Sequence, residues 1–299
     1  MPIDIRQLSK TYAGGVHALQ NVTLNIATGM FGLLGPNGAG KSTLMKILAT
    51  LETPTSGNVF IDGADIHSQR RQIRASLGYL PQFFGVYPQL TGAEFLSYIG
   101  RLNGLPARRL HDTVLQMLEN VGLAEARDRK AKTYSGGMLR RLGIAQALIG
   151  NPRLLIVDEP TTGLDPEERI RFRNLLTEIS RDKIIILSTH IVGDISSTCE
   201  DLAILAKGRV AYRGRPDALI AKAAGKVWQV LIDEADFSHI AAHMQVISTI
   251  PKQPHLLLRV VGDPISGYDM QSATPNLEDA YMYFMESEVG QRVEEEEAD

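Results

Sequence analysis

The stretch Met30–Leu34, MFGLL, runs straight into Gly35–Thr43, GPNGAGKST, and that junction decides the fold. An apolar strand, a glycine turn and a helix opening at Lys41 is the order that wraps backbone N–H groups round phosphate oxygens. Gly35, Gly38 and Gly40 let the main chain approach an anion closely. Pro36, Asn37 and Ala39 complete the turn, and the helix adds its positive N-terminal end. Lys41 should reach the β- and γ-phosphates, the Ser42 hydroxyl should ligate Mg²⁺, and Thr43 closes the motif.

The same alternation of strand and helix extends outward. Leu154–Val157, Ile184–Leu187 and Leu202–Leu205 are apolar throughout, as strands buried on both faces of a parallel sheet must be. The first of them ends in Asp158 and Glu159. Strand ends in such sheets face the ligand crevice, so Asp158 is placed to hold Mg²⁺. Glu159 is placed to take a proton from an attacking water. His190 closes the second strand in the run Ser188–His190, where an imidazole can touch a γ-phosphate and orient water. Gln82, after Leu80-Pro81, sits between core strands and the helical stretch that follows.

Ile3–Leu8, Val22–Ile26 and Val59–Asp62 alternate with period two and predict a β-rich N-terminal layer. Between about 85 and 150 strands give way to helical spacing over Glu94–Asn103, Ala107–Val121 and Gly137–Ile149, broken at Gly104, Pro106 and Gly122. Past about 222, Val227–Ile232 and Leu256–Val261 read as strands and Leu277–Met285 as a helix. Glu294–Asp299 reads as a solvated acidic tail. The expected fold is α/β: a phosphate-loop NTPase core with a mostly parallel sheet, an antiparallel β layer, an inserted helical subdomain and a small C-terminal α/β appendage. The domain boundaries are expected at 1–222 and 223–299.

Composition narrows the function. The chain has 299 residues and a net charge of −3, so no global basic field favours nucleic acid as a partner. A single cysteine, Cys199, excludes an internal disulfide framework and suits a reducing compartment. The N-terminus is charged where a leader would be apolar. No apolar run approaches the about 20 residues that a membrane helix needs, so a bilayer crossing by this chain alone is not expected.

With these pieces in order, the chain resembles the ATP-binding subunits of ABC transporters over residues 1 to about 220. The deciding segment is Tyr134–Met138, YSGGM, which resembles the family signature LSGGQ and precedes Asp158. A Ser-Gly-Gly turn at a helix start binds phosphate by the same backbone logic as the first cradle. The resemblance implies that Ser135, Gly136 and Gly137 complete the site of a second subunit in a head-to-tail dimer. It also implies that Asp165, in Gly163–Asp165, touches that subunit and that Tyr12 stacks on adenine. Lys41, Gln82, Glu159 and His190 form the implied catalytic set; Ser42, Gln82 and Asp158 are the implied Mg²⁺ ligands.

Tyr134 and Met138 depart from the signature and resemble what an exporter branch of the family carries. Gly85–Thr91 and Thr274–Phe284 point the same way. The implied partners are integral-membrane permease subunits and a second copy or a homologous ATPase subunit, at the cytoplasmic side of the cell membrane. Phe83, Phe84, Tyr87 and Leu90 form either a docking face or core. Competing readings are an importer ATPase subunit, a ribosome- or DNA-associated ATPase of the same class, and a nucleotide binder without hydrolysis. No heptad stretch supports the DNA-end type, and intact Glu159 and His190 oppose the last.

Overall fold

The computed structural model describes residues 2–161 and 164–290; the acidic segment Glu294–Asp299 and Gly163 lie outside the described residues. The chain divides into two compact units, Met1–Arg213 and the remainder from Gly214.

The first unit opens with β1 (Ile3–Thr11), β2 (His17–Ile26), β3 (Gly29–Leu34) and α1 (Lys41–Leu48). Next come β4 (Ser56–Ile61), β5 (Ala64–Asp65), α2 (Arg70–Ala75) and β6 (Leu77–Leu80). The helices α3 (Gly92–Leu102), α4 (Ala107–Asn120) and α5 (Gly136–Leu148) follow without an intervening strand. The unit ends with β7 (Leu154–Asp158), α6 (Pro166–Ile179), β8 (Ile184–Thr189), α7 (Val192–Ser196), β9 (Asp201–Ala206) and β10 (Arg209–Gly214).

Two sheets result. The N-terminal layer is antiparallel in the order β2-β1-β4-β5. The central sheet runs β10-β9-β3-β8-β7-β6, with every pair from β9 to β6 parallel. All of β7 and β8 is buried, as their unbroken apolar runs require. One apolar cluster joins Ile3, Val22 and Val59 of the outer layer to Leu44 of α1 and to Ile156 and Ile186 of the central sheet.

The helical segment packs α3, α4 and α5 on one another. Thr91 and Glu94 close a reciprocal capping box on α3, which fixes the entry into this segment. Of the apolar residues before it, Phe84 and Leu90 are half-buried, Phe84 meeting Phe95 edge to face at 5.9 Å. Phe83 and Tyr87 are exposed, Phe83 by 86%. Tyr87 packs on Tyr98 of α3 at 5.6 Å, and exposed Leu102 lies one turn further along that helix. The stretch is therefore split, half turned inward and half left on the surface.

The second unit contains α8 (Pro216–Lys222), β11 (Val227–Asp233), α9 (Phe237–His243), β12 (Gln245–Lys252), β13 (His255–Val261), β14 (Met270–Ser272) and α10 (Leu277–Phe284). Its antiparallel sheet, β12-β13-β11-β14, packs Val230, Ile232 and Leu258 against Ile240 of α9. The boundary falls earlier than the 222/223 junction expected from composition. The reason is α8: it packs on α10 and so belongs to the appendage.

Asp279 is fully buried in this unit and holds Arg259 in a fork, with Nε and Nη2 donating at 2.8 and 2.6 Å. It also accepts from the Asn276 N–H, closing a capping box on α10. Asp279→Ala leaves the half-buried guanidinium with the Thr274 carbonyl alone and opens the α10 capping box, a combined loss of about 2–3 kcal/mol. The single tryptophan, Trp228, lies in β11 of the same unit. Denaturant titration followed by its fluorescence should show that loss; a midpoint unchanged from wild type would contradict it.

Candidate functional site

The glycine turn sits where β3 delivers it, at the strand's C-terminal end. Gly40 caps α1 at φ +101, and a Cβ there would meet the Ala18 carbonyl oxygen at 2.4 Å, so only glycine fits. Pro36, Asn37 and Gly38 are exposed, Gly35 and Ala39 are buried, and Ser42 and Thr43 are half-buried at the start of α1. Lys41 is 6% exposed, and its Nζ donates to the carbonyls of Gly35 and Pro36 at 2.6 and 3.1 Å. The ammonium is thus folded onto its own loop. Burial lowers its pKa, and the fields of Glu159 and Asp158 offset part of that shift.

Parallel pairing sets β7 and β8 side by side with Asp158 opposite Ser188. Glu159 follows at φ +48, its N–H donating to the Ser188 carbonyl at 2.9 Å. A non-glycine residue in the left-handed region costs about 1–3 kcal/mol, and here the turn aims a buried carboxylate back into the site. Glu159 Oε1 lies 3.7 Å from Lys41 Nζ, and Oε2 lies 2.8 Å from His190 Nδ1. Lys41, Glu159 and His190 therefore form one chain of contacts, and Asp158 precedes Glu159 on the same strand end.

Among the described residues, two buried atoms in this cluster lack a partner: Asp158 Oδ1 and Ser188 Oγ. A buried carboxylate oxygen without a bond is costly unless a ligand satisfies it. An oxygen donor of that charge, with the Ser42 hydroxyl in the first turn of α1, fits a hard divalent cation such as Mg²⁺. Ser188 stood in the sequence only as part of the run before His190. Its orphan hydroxyl marks it as part of the same surface.

Other expected residues lie apart from this cluster. Gln82 is exposed; its carbonyl accepts from Arg140, and among the described residues no bond joins its amide to Ser42 or Asp158. Tyr12 is tied toward α1, its hydroxyl donating to Glu52 Oε2 at 2.6 Å and lying 3.3 Å from Thr43 Oγ1. Lys10 Nζ stands 5.0 Å from the Tyr12 ring centroid. Burial, then the bond to Glu52, raises the Tyr12 pKa.

Ser135 caps α5, its Oγ accepting from the Met138 N–H at 3.2 Å; Ser135 and Gly136 are exposed and Gly137 half-buried. The turn is thus presented outward, ahead of a helix whose later residues are buried. Tyr134 is buried, and its hydroxyl donates to the Ala126 carbonyl at 2.8 Å. A Cβ on Gly92 would come within 2.3 Å of that hydroxyl, so the phenol fills a slot that glycine leaves open. Asp165 is an exposed N-cap on α6, accepting from the Glu168 N–H at 2.8 Å.

Two supporting groups escaped the sequence reading. Buried Asp194 accepts from the Thr161 hydroxyl at 2.5 Å and lies 3.4 Å from that of Thr189, linking the segment after Glu159 to the segment before His190. Arg140, also buried, donates to the carbonyls of Pro81, Gln82, Asp158 and Pro160. Burial lowers its pKa to about 10, which keeps it charged at neutral pH. Neither stands in a local motif; each is visible only once distant segments are folded together. An open cleft of about 690 Å³ beside β1, β2 and β10, lined by Ser9, His17, Asn21 and Arg209, contains none of the phosphate-turn residues.

A glycine cradle at the end of a parallel strand, with a carboxylate pair at the end of a neighbouring one, defines the class of phosphate-loop NTPases. Comparison with known proteins narrows the class. The family profile described as ABC transporter matches residues 19–162. The uncharacterised ABC transporter ATP-binding protein YxlF of Bacillus subtilis (strain 168) is 32% identical over 295 residues, covering 94% of this chain and 98% of that protein. A Nod factor export ATP-binding protein I of Rhizobium meliloti is 33% identical, covering 94% of this chain and 87% of that one.

Among solved structures, a dimeric ATP-binding cassette in a post-hydrolysis state, bound to ADP and Pi, superposes with a TM-score of 0.66 at 28% identity. It covers 71% of this chain and 98% of its own. The chain belongs to the family of ABC transporter ATP-binding subunits. It binds ATP and is an ATPase of that family.

Proposed function

We propose that the chain powers export of a solute through separate integral-membrane permease subunits, by ATP-driven closure of a dimer at the cytoplasmic face of the membrane. The second half of the dimer is another copy or a homologous ATPase subunit. The observation that carries this reading is the convergence of Lys41, Asp158, Glu159 and His190 in one cluster, while the Ser135 turn is exposed and makes no bond to that cluster among the described residues. Export is favoured by the relatives named for it.

In this reading Lys41 exchanges the Gly35 and Pro36 carbonyls for the β- and γ-phosphate oxygens. Backbone N–H groups of Gly38 to Thr43 hold the remaining oxygens. Ser42 and the Oδ1 of Asp158 would hold Mg²⁺, with the Gln82 amide brought in as a further ligand, and the ion would supply positive charge to offset that of the phosphates. Glu159 accepts a proton as water attacks the γ-phosphorus, and the bond to the bridging β–γ oxygen breaks to release ADP and phosphate. His190 holds the Glu159 carboxylate by Nδ1 and faces the γ-phosphate.

Ser135, Gly136 and Gly137 close over the partner's nucleotide, with Asp165 beside the junction and Tyr12 at the adenine end. Loss of γ-phosphate removes the differential affinity for the closed state. Exposed Phe83, Tyr87, Tyr98 and Leu102 form the docking face for the permease, an apolar surface with no cover in the described chain.

Purification of the tagged full chain from detergent-solubilised membranes tests the reading. A multi-span membrane protein should accompany it and stimulate its ATP hydrolysis. Recovery with ribosomes or DNA, and no membrane companion, would overturn the transport assignment.

A further inference from the structure

Arg140 lies on α5 more than a turn past Ser135, so the helix carries the outward-facing glycine turn at one end and a buried guanidinium along its body. Nε donates to the Pro160 carbonyl at 2.9 Å and Nη2 to that of Asp158 at 2.9 Å. Nη1 donates to the carbonyls of Pro81 and Gln82 at 2.9 and 3.1 Å. Among the described residues no carboxylate lies within ion-pair distance, so the charge is held entirely by main-chain oxygens of two separate loops. One loop carries Gln82. The other brackets Glu159 on both sides.

A planar fork bonded to four carbonyls fixes those segments relative to one another far more stiffly than a single bond. A displacement of α5 is therefore passed directly to the backbone that aims Glu159 and Gln82. We infer that Arg140 is a positioning residue that couples engagement of the Ser135 turn with the partner's nucleotide to the alignment of this chain's own Glu159 and Gln82. The inference rests on the dimer reading above. It makes hydrolysis in one site depend on occupancy of the other through α5, with no residue of Arg140 touching either nucleotide.

The distinction from a plain structural staple lies in what a variant loses. Arg140→Met removes all four bonds; Arg140→Lys keeps the charge and can reach one or two of the carbonyls. Both full-length variants would be compared with wild type for mant-ATP affinity, kcat, KM and the Hill coefficient of steady-state ATP hydrolysis. Nucleotide affinity should stay within about twofold, because Lys41 and its turn are untouched. The kcat of Arg140→Met should fall by about 10–100-fold, the range seen for groups that orient a metal-binding carboxylate.

Cooperativity should vanish in Arg140→Met, and Arg140→Lys should recover part of both kcat and the Hill coefficient. If Arg140→Met does not fold, Arg140→Lys and Arg140→Gln provide the same readouts. A folded variant that keeps wild-type cooperativity overturns the coupling, whether or not its kcat falls. Trapping of Glu159→Gln as an ATP-bound dimer checks the underlying reading separately: no trapped dimer sinks the sandwich itself, whereas a trapped dimer beside cooperative Arg140 variants sinks the coupling alone.

Discussion

Glu159→Gln should bind MgATP nearly as well as wild type, lose turnover by roughly 10²–10⁴-fold and accumulate as an ATP-bound dimer. That range is the contribution of a positioned general base. The substitution keeps the side-chain shape and removes only the proton acceptor. The carboxylate is 5% exposed, 3.7 Å from Lys41 and 2.8 Å from His190, so no other described carboxylate occupies its place in that contact chain. Stability should fall modestly as well, because Lys41 loses part of the field that supports its buried charge. Steady-state phosphate release and size-exclusion chromatography with MgATP read the two effects. Turnover near the wild-type rate would remove Glu159 from the role of base.

Ser135→Arg should abolish ATP-dependent dimerisation while leaving the single chain able to bind MgATP. The exposed turn offers room for phosphate, which a long side chain would occupy. Because Ser135 also caps α5, the variant loses about 1 kcal/mol of helix stability on top of any interface effect. Ser135→Asp separates the two: it keeps the cap but sets a carboxylate against the partner's phosphates. Like-charge juxtaposition at an interface costs several kcal/mol, so dimerisation should weaken by more than about 100-fold in Ser135→Asp too. A dimer that survives both substitutions would disprove the role of this turn across the interface.

Legibility in the sequence followed the range of the interactions. The phosphate turn was readable because its residue types encode its own backbone: strand, glycine turn and helix start are contiguous from Met30 to Thr43. Asp158 and Glu159 were readable because an all-apolar strand must end somewhere, and these acids end it. The antiparallel layer and the helical insert followed from periodicity, with ends within about three residues of the structure except at β2, which starts at His17 and not Val22. By contrast, Arg140 acts on carbonyls at 81, 82, 158 and 160, and carbonyls have no sequence signature.

The hold of Glu52 on Tyr12 spans β1 and the segment after α1, so it too was invisible. Edge strand β12 contains Ser248, Thr249 and Pro251, which interrupt an apolar run of the kind that exposed its neighbour β13. The unit boundary was misplaced for a related reason: α8 looks like a natural end to the first unit until its packing on α10 is known.

Tyr134 and Gly92 are matched pieces, a phenol seated in the space that a missing side chain leaves. Chimeras that graft a leucine-bearing segment from another subclass onto this chain would leave that seat vacant and the Ala126 oxygen without its donor. The reverse graft would drive a hydroxyl into whatever methyl group replaces Gly92. In this chain a residue larger than glycine at 92 therefore requires a shorter side chain than tyrosine at 134, so the two positions are best exchanged together.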